Sequence, residues 1–331
     1  MRSIIIVSLL FFGIKTINSQ DYYFSQFYNS PLTLNPALTG VIPGDYRIIA
    51  NYRNLNTALV PFSTYSVSFD SKFLRGLLEH DVASAGIVAI EDDLAGGAIS
   101  NLVVMASGAY HFAIGKKKNT FIVLGGQAGI FQRRADLNDF SYPSQWVDGV
   151  GYDPNISNQE DFTEMGHIIP DFQAGIFWYS FIGEASSAYA GFSAFHLAEP
   201  KETFLGSNDH LPRRYVGHGG ARIAASEDIS LIPNVIYMNQ AGAFHTIFGT
   251  HFEYVLSDYT ALKIGGWYRW NSSVIASLGF EFYNFSLGLS YDIASNRLTV
   301  GEDKGGFEIS LIYAAYFRRV VDLKSNPGIS F

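Results

Sequence analysis

The 331-residue chain has no cysteine, so no disulfide framework holds it together. Charge is scarce. Asp, Glu, Lys and Arg make up 16% of residues, against about 25% in a soluble domain. Long apolar runs are missing as well. Beyond the first twenty residues no stretch reaches the ~18 apolar residues that a spanning helix needs. Basic residues are the minority. Setting aside Arg2 and Lys15 of the leader leaves 20 basic residues against 30 acidic, a net charge of −10. That argues against a nucleic-acid partner, which calls for a basic patch. What the chain does have is 15% aromatic residues, including 27 Phe and 20 Tyr, together with 32 Gly. This mixture suits a β-rich protein with aromatic surfaces and tight turns.

Residues 1–20 read as a secretory signal. Arg2 supplies positive charge, Ile4 to Ile14 form an apolar run of h-region length, and Ser19 is a small residue near a cleavage point. After the leader the dominant pattern has period two. In NFSLGLSYDI (284–293), Phe285, Leu287, Leu289, Tyr291 and Ile293 share a face opposite Ser286, Gly288, Ser290 and Asp292. Segments 64–70, 244–256 and 307–317 repeat the pattern. Each places one face in an apolar medium and the other in a polar one. About fourteen such segments are expected, between residues 45 and 318. Residues 71–80, SKFLRGLLEH, are expected to make a short helical turn or two. In an up-and-down arrangement the upper connections include 94–97, 135–168, 199–211 and 294–305, where the longest irregular segments fall, while the lower ones, from 71–82 to the Tyr283-Asn284 junction, are mostly tight. Lipid-facing strands must pair every edge, which requires closure. The expected fold is all-β: a transmembrane antiparallel β-barrel of about 14 strands. Aromatics such as Trp267, Trp270, Tyr254 and Phe317 would lie near the headgroups.

The stretch before the first strand, DYYFSQFYNSPLTLNPALTG (21–40), is aromatic and irregular. Ser30-Pro31 and Asn35-Pro36 enforce turns and extended backbone. Its apolar side chains need shelter, so residues 21–44 read as a periplasmic segment that plugs the lumen or its periplasmic mouth. A disordered tether is the competing reading. The barrel would then span 45–318, followed by a periplasmic tail at 319–331. On presumed inward faces stand Arg47, Arg53, Arg133, Arg222, Lys263, Arg269, Glu281 and Glu308. An open diffusion porin would line its constriction with such charges; both signs are present, which is equally consistent with a sealed lumen, and ion pairing across a filled barrel is the preferred reading.

The same stretch resembles the opening of the PorP/SprF family of Bacteroidetes outer-membrane proteins. The matching residues are Gln20-Asp21, then Phe24, Ser25, Gln26 and Phe27, then Asn35, Pro36, Ala37 and Gly40. YRIIANYRN, from Tyr46, looks like the family's first strand, and FEISLIYAAYF looks like its last. The tail has Ser325-Asn326-Pro327-Gly328 where the family often carries a Cys-Pro pair. The resemblance implies a non-enzymatic outer-membrane component of type IX protein secretion and gliding motility. Implied partners are secreted cargo or adhesins with a C-terminal sorting domain, periplasmic components of the machine (peptidoglycan-binding ones among them) and the lipid bilayer. No cofactor or metal is implied. A FadL-like transporter of hydrophobic small molecules is the alternative; its hatch is longer and helical. A barrel enzyme or a metal site at His245, His251 and Glu253 has no selecting motif.

Two surfaces are candidates for recognition. The connection at 135–168 mixes Tyr142, Trp146, Tyr152 and Phe162 with Asp and Asn, as a binding loop does; a lid over the mouth fits equally. Lys116, Lys117 and Lys118 in one turn, with Arg318 and Arg319 at the end of the last strand, would face the periplasm. There they could meet an acidic partner or stand as ordinary solvated residues.

Overall fold

The computed structural model describes residues 21–56, 61–75, 81–116, 118–135, 143–147, 149–153, 155–157, 168–183, 185–202, 209–294 and 305–315. The signal segment, the tail, Lys117, Tyr142, Phe162, Arg318 and Arg319 lie outside these residues.

The strands follow the period-two segments closely. They are β1 (Tyr46–Asn56), β2 (Pro61–Arg75), β3 (Val82–Leu94), β4 (Ile99–Ile114) and β5 (Thr120–Ala135). A small hairpin, β6 (Trp146–Val147) and β7 (Gly151–Tyr152), comes next. β8 (Ile168–Ile182) and β9 (Ser186–Phe195) precede a second small hairpin, β10 (Lys201–Glu202) and β11 (Asp209–His210). The rest are β12 (Arg214–Ala224), β13 (Ile229–Gln240), β14 (Ala243–Ser257), β15 (Thr260–Arg269), β16 (Ser273–Phe282), β17 (Phe285–Ala294) and β18 (Gly306–Ala315). Omitting the two hairpins, fourteen strands form one closed antiparallel barrel. β1 closes the ring on β18, from Tyr46 opposite Ala315 to Leu55 opposite Gly306. Closure leaves no backbone edge facing lipid.

The barrel is inside-out. On β2, Tyr65, Val67 and Phe69 are exposed, while Thr64, Ser66, Ser68 and Asp70 are buried in the lumen. On β14, Phe248, Phe252 and Tyr254 face outward and His251 and Glu253 inward. Aromatic pairs at the short-turn end, such as Tyr259 stacked on Tyr283 at 4.7 Å, sit where amphipathic rings favour the membrane interface. The long connections, 136–167 and 196–213, share the end opposite the tight turns at 258–259 and 283–284.

Of the stretch 71–80 expected to turn helically, residues 76–80 lie outside the described residues, and 71–75 are not helical: they continue β2. The cause is a bulge. Pairing with β3 shifts between Lys72 and Leu74, so the apolar spacing there departs from two and imitates a helix.

Candidate functional site

The site is the lumen, and residues 21–45 occupy its whole length. Three short helical turns, Phe27–Asn29, Pro31–Leu34 and Pro36–Leu38, give the segment its irregular path. Pro31 and Pro36 each open a turn, where a missing N–H costs nothing. Asp21 lies beside His196, Arg214 and Gln240, all at the long-loop ends of their strands. Asp45 lies at the opposite mouth, its N–H bonded to the Ala315 carbonyl at 2.8 Å. The strap therefore starts at the long-loop mouth, not at the periplasmic mouth where a chain entering its first strand would most simply begin. Among the described residues it joins the barrel wall covalently at the short-turn mouth, where Asp45 leads into β1.

The outer part of the strap is held by charge. The Glu308 carboxylate accepts the successive backbone N–H groups of Ser25 and Gln26, at 2.6 and 2.8 Å. Ser25 Oγ donates to Asp292 at 2.7 Å. Arg53 lies 3.1 Å from Glu308, stacks over the Tyr23 ring at 4.6 Å and donates to the Tyr23 carbonyl. Arg269 pairs with Asp292 at 2.8 Å. Phe24, Ser25, Gln26 and Phe27 are all buried. Trp267, expected at the headgroups, is instead buried in the lumen, because it falls on the inward face of β15; the Tyr28 ring stacks on it at 5.0 Å and meets the edge of His251 at 4.6 Å.

The inner part is held by shape. Asn35 is fully buried and spends its amide completely. Its Nδ2 donates to the Ile176 carbonyl at 3.1 Å and lies 3.1 Å from His218 Nε2, while its Oδ1 accepts the Ala37 N–H at 2.9 Å. The knuckle can lie this close to the wall because the wall beneath it is glycine. A Cβ on Gly125 would strike the Ala37 backbone, one on Gly175 would overlap Asn35 Oδ1, and one on Gly191 would overlap the His218 ring. Gly125 and Gly175 oppose each other across β5 and β8. Further on, the Thr39 carbonyl accepts from Ser84 Oγ at 2.7 Å and from His111 Nε2 at 2.9 Å, so His111 carries its proton on Nε2. The N–H of Gly40 donates to Asp70 at 2.8 Å, and Arg47 grips that same carboxylate with two bonds of 2.9 and 3.0 Å.

A second network, Arg222–Glu253–Lys263–Glu281, runs along the inner wall from β12 to β16, with Lys263 2.6 Å from Glu281 and 3.4 Å from Glu253. Arg133 bonds Asn101 Oδ1 at 2.8 Å. Among the described residues no group of three His, Cys, Asp or Glu side chains forms a metal-ligand cluster.

The other candidates lie apart from the strap. Trp146 and Tyr152 pair across the β6–β7 hairpin with ring centroids 6.2 Å apart, and Trp146 is 61% exposed. Lys116 and Lys118 are exposed on the turn between β4 and β5, at the short-turn end. Sequence reading missed His196, Asp171 and Arg214, as well as the glycine floor. The floor did leave a signal: Gly125, Gly175 and Gly191 all occupy inward positions of their strands.

Comparison with known proteins accords with this geometry. The fold is similar to the toluene transporter TbuX of Ralstonia pickettii, with TM-score 0.53, 11% identity, and coverage of 87% of this chain and 94% of that one. It is also similar to the toluene transporter TodX of Pseudomonas putida, with TM-score 0.53, 9% identity, and coverage of 91% and 96%. Identities this low carry the fold alone: an outer-membrane barrel. No curated protein matches the chain. The model of the type IX secretion system membrane protein PorP/SprF matches residues 16–313, taking in the strap, the glycine floor and nearly all of β18, and the chain belongs to that family.

Proposed function

We propose that this protein is a non-enzymatic outer-membrane component of type IX secretion and gliding motility that binds or anchors secreted cell-surface proteins and links them to the periplasmic machinery. The observation that carries the reading is the continuous family match from residue 16 to residue 313, which includes the strap motif built into the lumen. The strap turns the barrel from an open conduit into a filled scaffold. Recognition then falls to the two rims. At the outer rim the β6–β7 hairpin offers Trp146 and Tyr152, an exposed aromatic pair of the kind that anchors interfaces. At the periplasmic rim Lys116 and Lys118 offer positive charge to an acidic partner. The reading of the barrel as a transporter of hydrophobic small molecules rests on fold likeness alone, at 9–11% identity, and the strap fills the apolar side of the lumen that such a solute would use.

The test is photocrosslinking in the native membrane from a benzophenone amino acid placed at Trp146 and, separately, at Lys118. A secreted protein carrying a sorting domain should be captured at position 146, and a periplasmic component at 118. Capture of neither, with the barrel folded and abundant, overturns the proposal.

A further inference from the structure

With the leader at 1–20 removed, as the sequence predicts, the strap has one free end and one tethered end, and the free end is fastened by a separate device. His196 stands between two carboxylates. Its Nε2 is 2.6 Å from Asp21 of the strap, and its Nδ1 is 2.9 Å from Asp171 of β8. Around this trio, Arg214 of β12 lies 3.5 Å from Asp21 and donates to the Tyr22 carbonyl at 3.0 Å, while resting on the Phe195 ring at 4.1 Å. Gln240 of β13 accepts the Asp21 N–H at 3.0 Å, and Gln173 of β8 donates to Asp171 at 3.3 Å. The backbone of His196 is left-handed, at φ 55°. Non-glycine residues pay for that region, with His and Asn among the more tolerant. A position under strain is therefore occupied by a side chain that bridges wall and strap.

We propose that residues 21–45 are a releasable gate, that Asp21–His196–Asp171 is its catch, and that the barrel with the strap displaced conducts small hydrophilic ions. Three observations combine. The catch is the only contact of the described strap that places an imidazole between a strap carboxylate and a wall carboxylate, and it grips the end that can leave. Because the tether is at the short-turn mouth, the strap can be withdrawn only towards that side, so its free end must let go first. The surface uncovered is two-sided: the wall from β3 to β14 is largely apolar, where Leu32, Leu34 and Leu38 had packed, but a stripe on β2, β1, β18, β17 and β15 is hydrophilic, with Arg47, Asp70, Arg53, Glu308, Arg269 and Asp292 lumen-facing and losing their strap contacts. A fourteen-stranded ring is wider than the small barrels that side chains alone can fill, so displacement of the strap leaves a wet path lined by both signs of charge.

The chain lacks cysteine, which makes the test clean. Ser193 is fully buried beneath the strap, donating to the Leu34 carbonyl at 2.8 Å. Ser193→Cys should react slowly with a water-soluble methanethiosulfonate reagent. Adding His196→Asn, which keeps the left-handed backbone but cannot span both carboxylates, should speed labelling at least tenfold. In planar bilayers the same His196→Asn protein should show openings that a Thr39→Cys/Ser107→Cys disulfide abolishes and reductant restores; the native side chains there touch at 3.0 Å. If the double variant fails to fold, openings of the native barrel in planar bilayers at pH 6.5 and at pH 9.5 read the same catch, with more expected at pH 9.5. Labelling indifferent to His196→Asn overturns the gate, and so does conductance indifferent to pH or to the disulfide.

Discussion

The two ends of the strap are held by different physics. Residues 21–29 meet buried charges: Glu308, Asp292, Arg53, Arg269 and His196. Residues 30–42 meet glycine, serine and histidine partners and an apolar wall, with Asp70 and Lys72 close to the tether. A buried ion pair is costly to form and costlier to break on one side, because the survivor is left uncompensated. Close packing on a glycine floor has no such long-range term, but it tolerates no added atom. The outer end should therefore respond to charge and pH, and the inner end to volume. The free end is fastened by the kind of interaction that solution conditions can undo, and the tethered end by the kind they cannot.

The largest effect should come from Arg53→Ala. It leaves Glu308 and Asp292 facing each other without their shared cation, for about 3–5 kcal/mol of lost stability. The check is the temperature at which the folded, fast-migrating barrel converts to the unfolded form on gels. Arg53→Ala with Glu308→Gln should recover part of the loss. If the double variant were no more stable than the single one, charge would not be what holds this end.

Next comes pH, acting through the catch. Burial disfavours the charged imidazole of His196, but the Asp21 and Asp171 carboxylates outweigh burial and push it up to about 9. Asp21 shifts the other way: burial raises it, yet His196 and Arg214 hold it well below the usual carboxylate range. A raised histidine contributes stability that is whole below its unfolded value near 6.5 and fades as pH climbs through 9. A depressed carboxylate contributes stability that is present above about 3.8 and fades in strong acid. The clasp should thus be tightest between about pH 4 and 6.5 and loosen by about 3 kcal/mol towards pH 10. Thermal scans across that range should show the alkaline fall in the native protein and not in His196→Asn. Gly175→Ala should be insensitive to pH.

The sequence made the barrel legible because alternation is a local signal: strand after strand shows its facing within ten residues. Loop sorting was legible for the same reason. The bulge between Lys72 and Leu74 defeated the reading of 71–75 by breaking the period that carried it. The strap motif was legible as residues, Asn35-Pro36-Ala37 above all, but its path was not. Nothing local tells a chain which way to thread a lumen. The partners also lie far off in sequence: Asp21 and His196 are 175 residues apart, and Ser25 and Glu308 are 283 apart. Arg53 and Glu308 were recognisable as inward charges, yet their pairing depends on barrel closure at β1 and β18.

At the inner end, Gly175→Ala should cost about 1–3 kcal/mol, since the new methyl falls on Asn35 Oδ1 and the knuckle must lift from the wall. Asn35→Ala in the same chain should return some of that cost by opening space. The two changes should therefore couple, whereas Gly175→Ala and Arg53→Ala should add independently. Coupling between Gly175 and Arg53 would erase the division between the ends.

The smallest effect should belong to Thr39→Val. Its hydroxyl donates to the Pro36 carbonyl at 2.8 Å and meets Ser107 Oγ at 3.0 Å, and valine keeps the shape while losing both bonds. A neutral hydrogen bond contributes about 0.5–1.5 kcal/mol, so a shift near the lower end is expected, because Ser84 and His111 still bind the Thr39 carbonyl. The backbone anchors this residue and its side chain only trims the fit. The effect should be the same at pH 6 and pH 9, since His111 holds its Nε2 proton towards a carbonyl rather than sharing a carboxylate. If Thr39→Val instead lost stability steeply with rising pH, the inner end would depend on charge after all, and the contrast between packing and ion pairing along the strap would fail at the residue where it is easiest to measure.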